Sequence, residues 1–384
     1  MLIAEVEVFV LKLRGDTYLG QKQEETERSG YFLREPWRSL YSGGYETVLV
    51  RLVAEDGTSG WGEALAPVGP EIVAAAIRTL LAPVVLGSVA TRPRPTFLRL
   101  RDLMRERGHL VGHQADALAA VDIALWDLAG RVSARPVSAL MGGALRDEVP
   151  VYVSGLPEST RQGRRDLAKR WLDDGATTVK LHLGHGIAAD LETVDDVIDA
   201  APGLTVAVDA HWRYQLPEAL RLSDALAERG VAFLEAPLNP EDVDGHRRLA
   251  LAARLPIAVG ESLRNRFEAD HWLTSGALHL LQPDVGRTGL TEGMAMTQLA
   301  AARHVAIAPH HSSGLGIALA AGIQLSAVVE DLLAFEYQPT SVKVGASILT
   351  DPLVFQPAAV AVPSGPGLGV EIDYDAVSAL AEEY

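Results

Sequence analysis

The 384-residue chain contains no cysteine. Disulfides and thiolate metal sites are therefore excluded, and a reducing, cytoplasmic setting fits. Lysine is scarce: Lys12, Lys22, Lys169, Lys180 and Lys343 are the five present, and none lies between 181 and 342. Basic side chains number 34 against 50 acidic ones, a formal net charge of −16, with no clustered basic stripe. Nucleic acid is not expected as a partner. Long apolar runs are also missing, since the most apolar late stretch, 314–329, is broken by Gln324 and Ser326 and is short for a membrane span. The opening MLIAEVEVFV carries Glu5 and Glu7 and no basic leader. It reads as an alternating strand and not as a signal peptide, so we expect a soluble, cytoplasmic protein.

What is present organises itself around TVAVDAHWRY (205–214) and two later echoes, FLEAP (233–237) and AVGES (258–262). Each is an apolar, β-prone run closing on a carboxylate, and the three acids, Asp209, Glu235 and Glu261, are spaced 26 residues apart. That interval suits one strand, one helix and two loops of a β/α repeat. Three buried carboxylates at adjacent strand ends repel one another unless a cation neutralises them. An all-oxygen donor set suits Mg2+ ahead of Zn2+.

With 48% hydrophobic residues the chain can bury a large core, and two domains are expected. Near the N-terminus, runs flanking Glu55-Asp56-Gly57 predict a hairpin in a small antiparallel sheet. The long connection over 14–45 reads either as a functional flap, from which Arg34, Trp37, Arg38 and Tyr41 could reach an anion, or as a solvated loop with one aromatic anchor. Helical periodicity follows, most clearly over 113–131, where Ala117, Val121, Leu125 and Leu128 form a stripe and Trp126 and Asp127 read as packing and capping residues. This helix is expected to bridge the two domains.

From Val149 onward eight short apolar runs recur, at 150–154, 177–183, 204–209, 231–235, 256–261, 278–284, 305–310 and 332–337. They predict an α/β protein with a parallel β/α barrel; no glycine-rich phosphate turn follows the first strand, which disfavours a doubly wound sheet. The tail beyond Leu349 is expected to return to the first domain. Catalysis in a barrel sits at the C-terminal strand ends. The polar residues there are Lys180, His182, Asp209, His211, Glu235, Glu261, Asp284, His310, His311 and Glu336. Asp284 and His310 end neighbouring strands, so the carboxylate can hold one imidazole nitrogen and leave the other as a base. His211, two residues past Asp209, is a candidate acid, while Lys180 is either a cation for an anionic substrate or an ion-pair partner of the barrel acids.

VDAH, FLEAP and VGES, with VKLH before them and QPDVGRTG and APHHSSG after them, resemble the enolase superfamily. GWGEA near residue 60 and VDIALWDLAG at 121–130 extend the resemblance almost end to end. It implies a modified TIM barrel, (β/α)7β, at 126–349, an N-terminal α+β capping domain at 1–125, and a tail at 350–384 packing back on the cap. It also implies Mg2+ held by Asp209, Glu235 and Glu261, a homo-oligomer, and, from the Asp284–His310 pair, the mandelate racemase subgroup, which removes a proton α to a carboxylate.

Departures refine this. Racemases of the subgroup commonly carry Lys-x-Lys on the second strand, whereas this chain has Lys180-Leu181-His182. The lysine-free interval disfavours the muconate cycloisomerase and enolase types. Asp-x-His on the third strand is similar to galactonate and mannonate dehydratases, and GESLRNRFE is similar to the galactonate type. The resemblance thus implies a hydro-lyase acting on an acid sugar, an aldonate or aldarate, with His310 as base and His211 as acid. Glu336 and His311, with Arg34 and Trp37 from the flap, are candidate substrate contacts. The alternatives are a racemase or epimerase using His182 or Lys180, and a non-catalytic relative. Glu235-Ala236-Pro237 replaces the second glutamate of many relatives, which bears on which sugar acid is taken.

Overall fold

The computed structural model describes residues 1–14 and 30–382. Part of the 14–45 flap therefore lies outside the described residues. The remainder forms a two-stranded hairpin, Tyr31–Leu33 with Leu40–Ser42.

The N-terminal sheet is antiparallel. Its long strand Ile3–Arg14 pairs with Gly44–Ala54, which turns through the Asp-Gly hairpin into Ser59–Ala64. Against it lies the helix His113–Val132, and the predicted stripe Ala117, Val121, Leu125 and Leu128 is buried. Burial extends around the whole helix from Ala115 to Gly130, because its other side meets the barrel. Close approach is permitted by glycine: a Cβ on Gly62 would lie 1.9 Å from the Ala120 carbonyl oxygen, and one on Gly60 2.3 Å from Leu128 N.

Asp127 departs from its expected role. It sits mid-helix and is no cap. Its carboxylate accepts from Trp61 N (2.8 Å), Leu368 N (2.7 Å) and Arg131, tying the cap strand to the C-terminal tail. Trp126 packs as expected and donates from Nε1 to Thr291 Oγ1 (2.9 Å), while Asp122 accepts from the same threonine's N and Oγ1. The bridging expected of this helix thus runs through specific polar contacts.

Eight parallel strands follow in order: Glu148–Ser154, Thr178–His182, Thr205–Asp209, Leu234–Glu235, Ile257–Val259, Leu280–Leu281, Ala306–Ile307 and Phe335–Tyr337. The eighth pairs with the first, and bonds from Ile307 N to Asp331 O and Glu336 N to Pro309 O close the ring. Seven helices connect the strands. The barrel interior mixes large and small side chains, Tyr152 and Phe233 with Ala207, Ala258, Leu280 and Ala308, all buried. The apolar 314–329 stretch is the helix Gly316–Val328, buried over nearly its whole length, and no helix among the described residues is long and apolar enough to cross a membrane. Glu63 from the cap accepts from Leu315 N (2.6 Å) and Ala318 N (2.8 Å) at the start of that helix.

The tail returns twice. Ala359–Ala361 pairs antiparallel with the first barrel strand, which the sequence did not suggest, and Ala381–Glu382 pairs with Val10 and Leu11 of the cap sheet.

Candidate active site

The strand ends gather the residues singled out above. Asp209 and Glu235 are register partners on adjacent strands, and Asp284 and His310 are joined by a parallel bridge. Asp284 Oδ2 meets His310 Nδ1 at 2.7 Å, while its Oδ1 accepts from Gly286 N at the start of the next helix. That pairing assigns the Nδ1 proton to the carboxylate side and leaves Nε2 turned inward, 3.0 Å from Glu261 Oε2 and 3.8 Å from Glu336 Oε2. Burial works against a charge on His310, but Glu336, Asp284 and Glu261 together hold its pKa well above the usual value.

Lys180 is fully buried, with Nζ 2.8 Å from both Glu235 Oε2 and Glu336 Oε1. Despite burial, those two carboxylates hold it well above the usual lysine range. It is therefore an ion-pair partner of the barrel acids, one of the two roles open to it, and not a group able to accept a proton. Glu336 also accepts from Ser154 Oγ and Tyr152 Oη; burial raises it, but Lys180 and His310 bring it down to about 2.

His182 sits at the same mouth, Nδ1 3.2 Å from Asp209 Oδ2 and Nε2 3.2 Å from Ser154 Oγ. His211 lies beside it in edge-to-face contact, its Nδ1 3.3 Å from Asp209 Oδ2 without hydrogen-bond geometry. Burial pushes His211 down to about 4, against the pull of Asp209. Over its other face lies Trp37, stacked at 4.1 Å and 12°, and anchored by Nε1 to Leu183 O at 2.9 Å. Arg34 is buried and stacks on the same indole at 5.1 Å. Tyr41 packs beside Trp37 with ring centroids 6.1 Å apart, so the hairpin lies over His211; burial raises Tyr41, with the charges of Asp209 and Glu261 adding. Arg38, by contrast, is exposed.

His311 does not join the cluster through its side chain. Its ring turns back to Gly314 O (3.0 Å), and only its backbone N reaches Glu336 (3.3 Å). Strand alternation is the cause: consecutive residues face opposite sides, and His310 takes the inner one.

Asp209, Glu235 and Glu261 suit a hard divalent cation by donor type. Glu235 Oε1 is buried and unbonded, while Oε2 takes Lys180 and Gln282 Nε2 (2.7 Å). Burial, with Asp209 and Glu336 adding and Lys180 opposing, pushes Glu235 up to about 8, the cost of crowded negative charge that a cation would relieve. Asp209 groups with His182 and His211, and Glu235 with Glu261 and His310.

Matches to known proteins run along most of the chain. Residues 163–377 fit the family described as enolase C-terminal domain-like, and residues 42–142 fit the mandelate racemase / muconate lactonizing enzyme N-terminal domain. The chain belongs to the enolase superfamily. A D-galactarolactone cycloisomerase of Agrobacterium fabrum is 31% identical over 348 residues, 86% of this chain and 90% of that protein. A D-galactonate dehydratase of Ralstonia nicotianae is 31% identical over 348 residues, 85% and 88% of the two chains. The crystal structure of a putative isomerase from Sinorhizobium meliloti superposes with a TM-score of 0.95 at 35% identity, covering 100% of both. The enolase-superfamily fold expected from the sequence is thereby established.

Several residues of this superfamily member escaped the sequence reading. Ser154 and Tyr152 end the first barrel strand, and their placement in the run 150–154 was the available signal. Gln282, fully buried in QPD, holds Glu235, and Trp212 Nε1 donates to Glu261 Oε1 (2.8 Å). Neither carries a charge, so a survey of titratable strand-end residues passes over both.

Proposed function

We propose that this protein is an acid-sugar dehydratase that removes the proton α to a carboxylate and eliminates the β-hydroxyl. The observation carrying the reading is the His310–Asp284 contact at 2.7 Å, with Nε2 directed into the acid cluster. Asp284 keeps Nδ1 protonated; a cation on Glu261 would neutralise the carboxylate that otherwise favours a proton on Nε2, leaving Nε2 as the atom that accepts the C2 proton of an aldonate or aldarate. Asp209, Glu235 and Glu261 would hold Mg2+, which would supply positive charge against the substrate carboxylate. Lys180 adds fixed charge beneath the site by fastening Glu235 and Glu336. His211, kept neutral by burial, would take up a proton against the added negative charge of a bound sugar acid and hand it to the departing 3-hydroxyl, and the product after tautomerisation is a 2-keto-3-deoxy acid. Arg34 and Trp37 line the roof against the substrate. Inversion by a second base finds less support, because Lys180 is ion-paired to both Glu235 and Glu336.

A second reading, opening of a sugar-acid lactone, is favoured by the similarity to the D-galactarolactone cycloisomerase. It shares the first step. The ring oxygen of a lactone leaves as a carboxylate and needs no acid, so this reaction would proceed without His211. A panel of four- to six-carbon acid sugars and their lactones with Mg2+ separates the two. Dehydration that disappears in His211→Ala while α-proton exchange persists supports the first. Turnover of lactones alone, unaffected by His211→Ala, supports the second, and inversion without a keto product contradicts both.

A further inference from the structure

After Asp209 the chain turns through two consecutive non-glycine residues in the left-handed region, His211 (φ 48°) and Trp212 (φ 56°). Side chains with a Cβ rarely adopt this conformation, and rarely twice in succession. Backbone bonds hold the corner: His211 N donates to Asp209 Oδ1 (2.8 Å), and Trp212 N donates to Ala236 O (2.6 Å). Ala236 is itself left-handed, with φ 48°. The result is that two neighbouring side chains leave the corner for different acids. His211 lies against Asp209, and Trp212 reaches two strands away to place its Nε1 on Glu261 Oε1 at 2.8 Å.

The indole is backed by packing. Trp212 meets the fully buried His246 edge-to-face at 6.1 Å, and His246 meets Trp272 at 4.9 Å. Glu261 is therefore pinned at one oxygen by a rigid donor, while Oε2 faces the acid cluster.

We propose that Trp212 is a positioning residue that orients Glu261 for a divalent cation, and that its indole N–H carries the effect. This rests on the reading that Asp209, Glu235 and Glu261 hold Mg2+. A carboxylate fixed at one oxygen presents the other in a set direction, and such outer contacts typically change metal affinity about 10–100-fold. Mg2+ demands near-octahedral geometry, whereas Ca2+ tolerates irregular ligands. Loosening Glu261 thus penalises Mg2+ more than Ca2+.

Calorimetric titration of the full chain with MgCl2 and with CaCl2 tests this, without any turnover. Trp212→Phe, which keeps a ring and removes the donor, is expected to weaken Mg2+ binding about 10-fold or more and Ca2+ binding less. Trp61→Phe, whose ring packs on Phe9 and Tyr374 in the cap sheet, is expected to leave both affinities unchanged. Trp212→Leu also lacks a donor and serves if the phenylalanine variant does not fold. Equal loss for both ions, or unchanged Mg2+ affinity, overturns the proposal while leaving the metal site intact. A wild-type protein that binds no Mg2+ overturns the metal site and this proposal together.

Discussion

Lys180 is the single lysine among the barrel acids, and removing it leaves Glu235 and Glu336 facing each other without a shared cation. Deleting one partner of a buried pair typically costs about 3–5 kcal/mol. Lys180→Met is therefore expected to lower stability by that amount in urea unfolding, and a loss below about 1 kcal/mol would show that the ion pairs do not hold the barrel floor. The charged residues at this scale were legible before the structure, because each ends an apolar run. His211, Trp212 and Ala236 were legible only by type. Their left-handed backbone, at about 1–3 kcal/mol of strain each, depends on bonds between strands distant in sequence. Trp212's contact with Glu261 and Gln282's with Glu235 are likewise products of the closed barrel.

At the scale of elements, the helix His113–Val132 and the strand Ser59–Ala64 show what periodicity captures and what it misses. The apolar stripe predicted the helix and one buried face. It did not reveal that the opposite face is buried too, since Thr291, Trp61 and Leu368, which meet Asp122 and Asp127, are distant in sequence. Glycine in GWGEA marks a backbone-to-backbone approach. Gly62→Ala would set a methyl against the Ala120 carbonyl, so it is expected to destabilise by about 3 kcal/mol, at the upper end of overpacking in a tight core. Thermal unfolding measures this, with exposed Gly203→Ala as a comparison in which the added methyl meets only the end of the Leu172 side chain. The barrel strands were placed well but drawn too long. Several pair over only two or three residues, because the rest of each apolar run continues as a packed loop.

For the molecule as a whole, cap and barrel are joined by buried acids. Asp122 and Glu63 are each pushed up to about 7, chiefly by burial, with backbone N–H donors opposing. Both have folded pKa values above the ordinary carboxylate value of about 4, so the folded state binds more protons between pH 4 and 7 and stability falls as pH rises through that window. His211, with its folded pKa lowered to about 4, acts oppositely, its contribution growing as pH rises from about 4 to 6.5. The Asp122 contribution is isolated by difference. Relative to wild type, Asp122→Asn is expected to gain about 3 kcal/mol between pH 5 and pH 8, read from urea unfolding at the two pH values. A constant gap would mean that Asp122 is ionised throughout.

The central claim is that His310, held by Asp284, takes the α-proton of an acid sugar. The most direct measurement follows an active acid sugar in D2O with Mg2+, comparing wild type with His310→Asn by NMR. General-base catalysis contributes about 10²–10⁴-fold. The account predicts a 2-keto-3-deoxy product from wild type, and a loss of both α-proton removal and product by at least 10²-fold in the variant. Product formation by His310→Asn at the wild-type rate would contradict it.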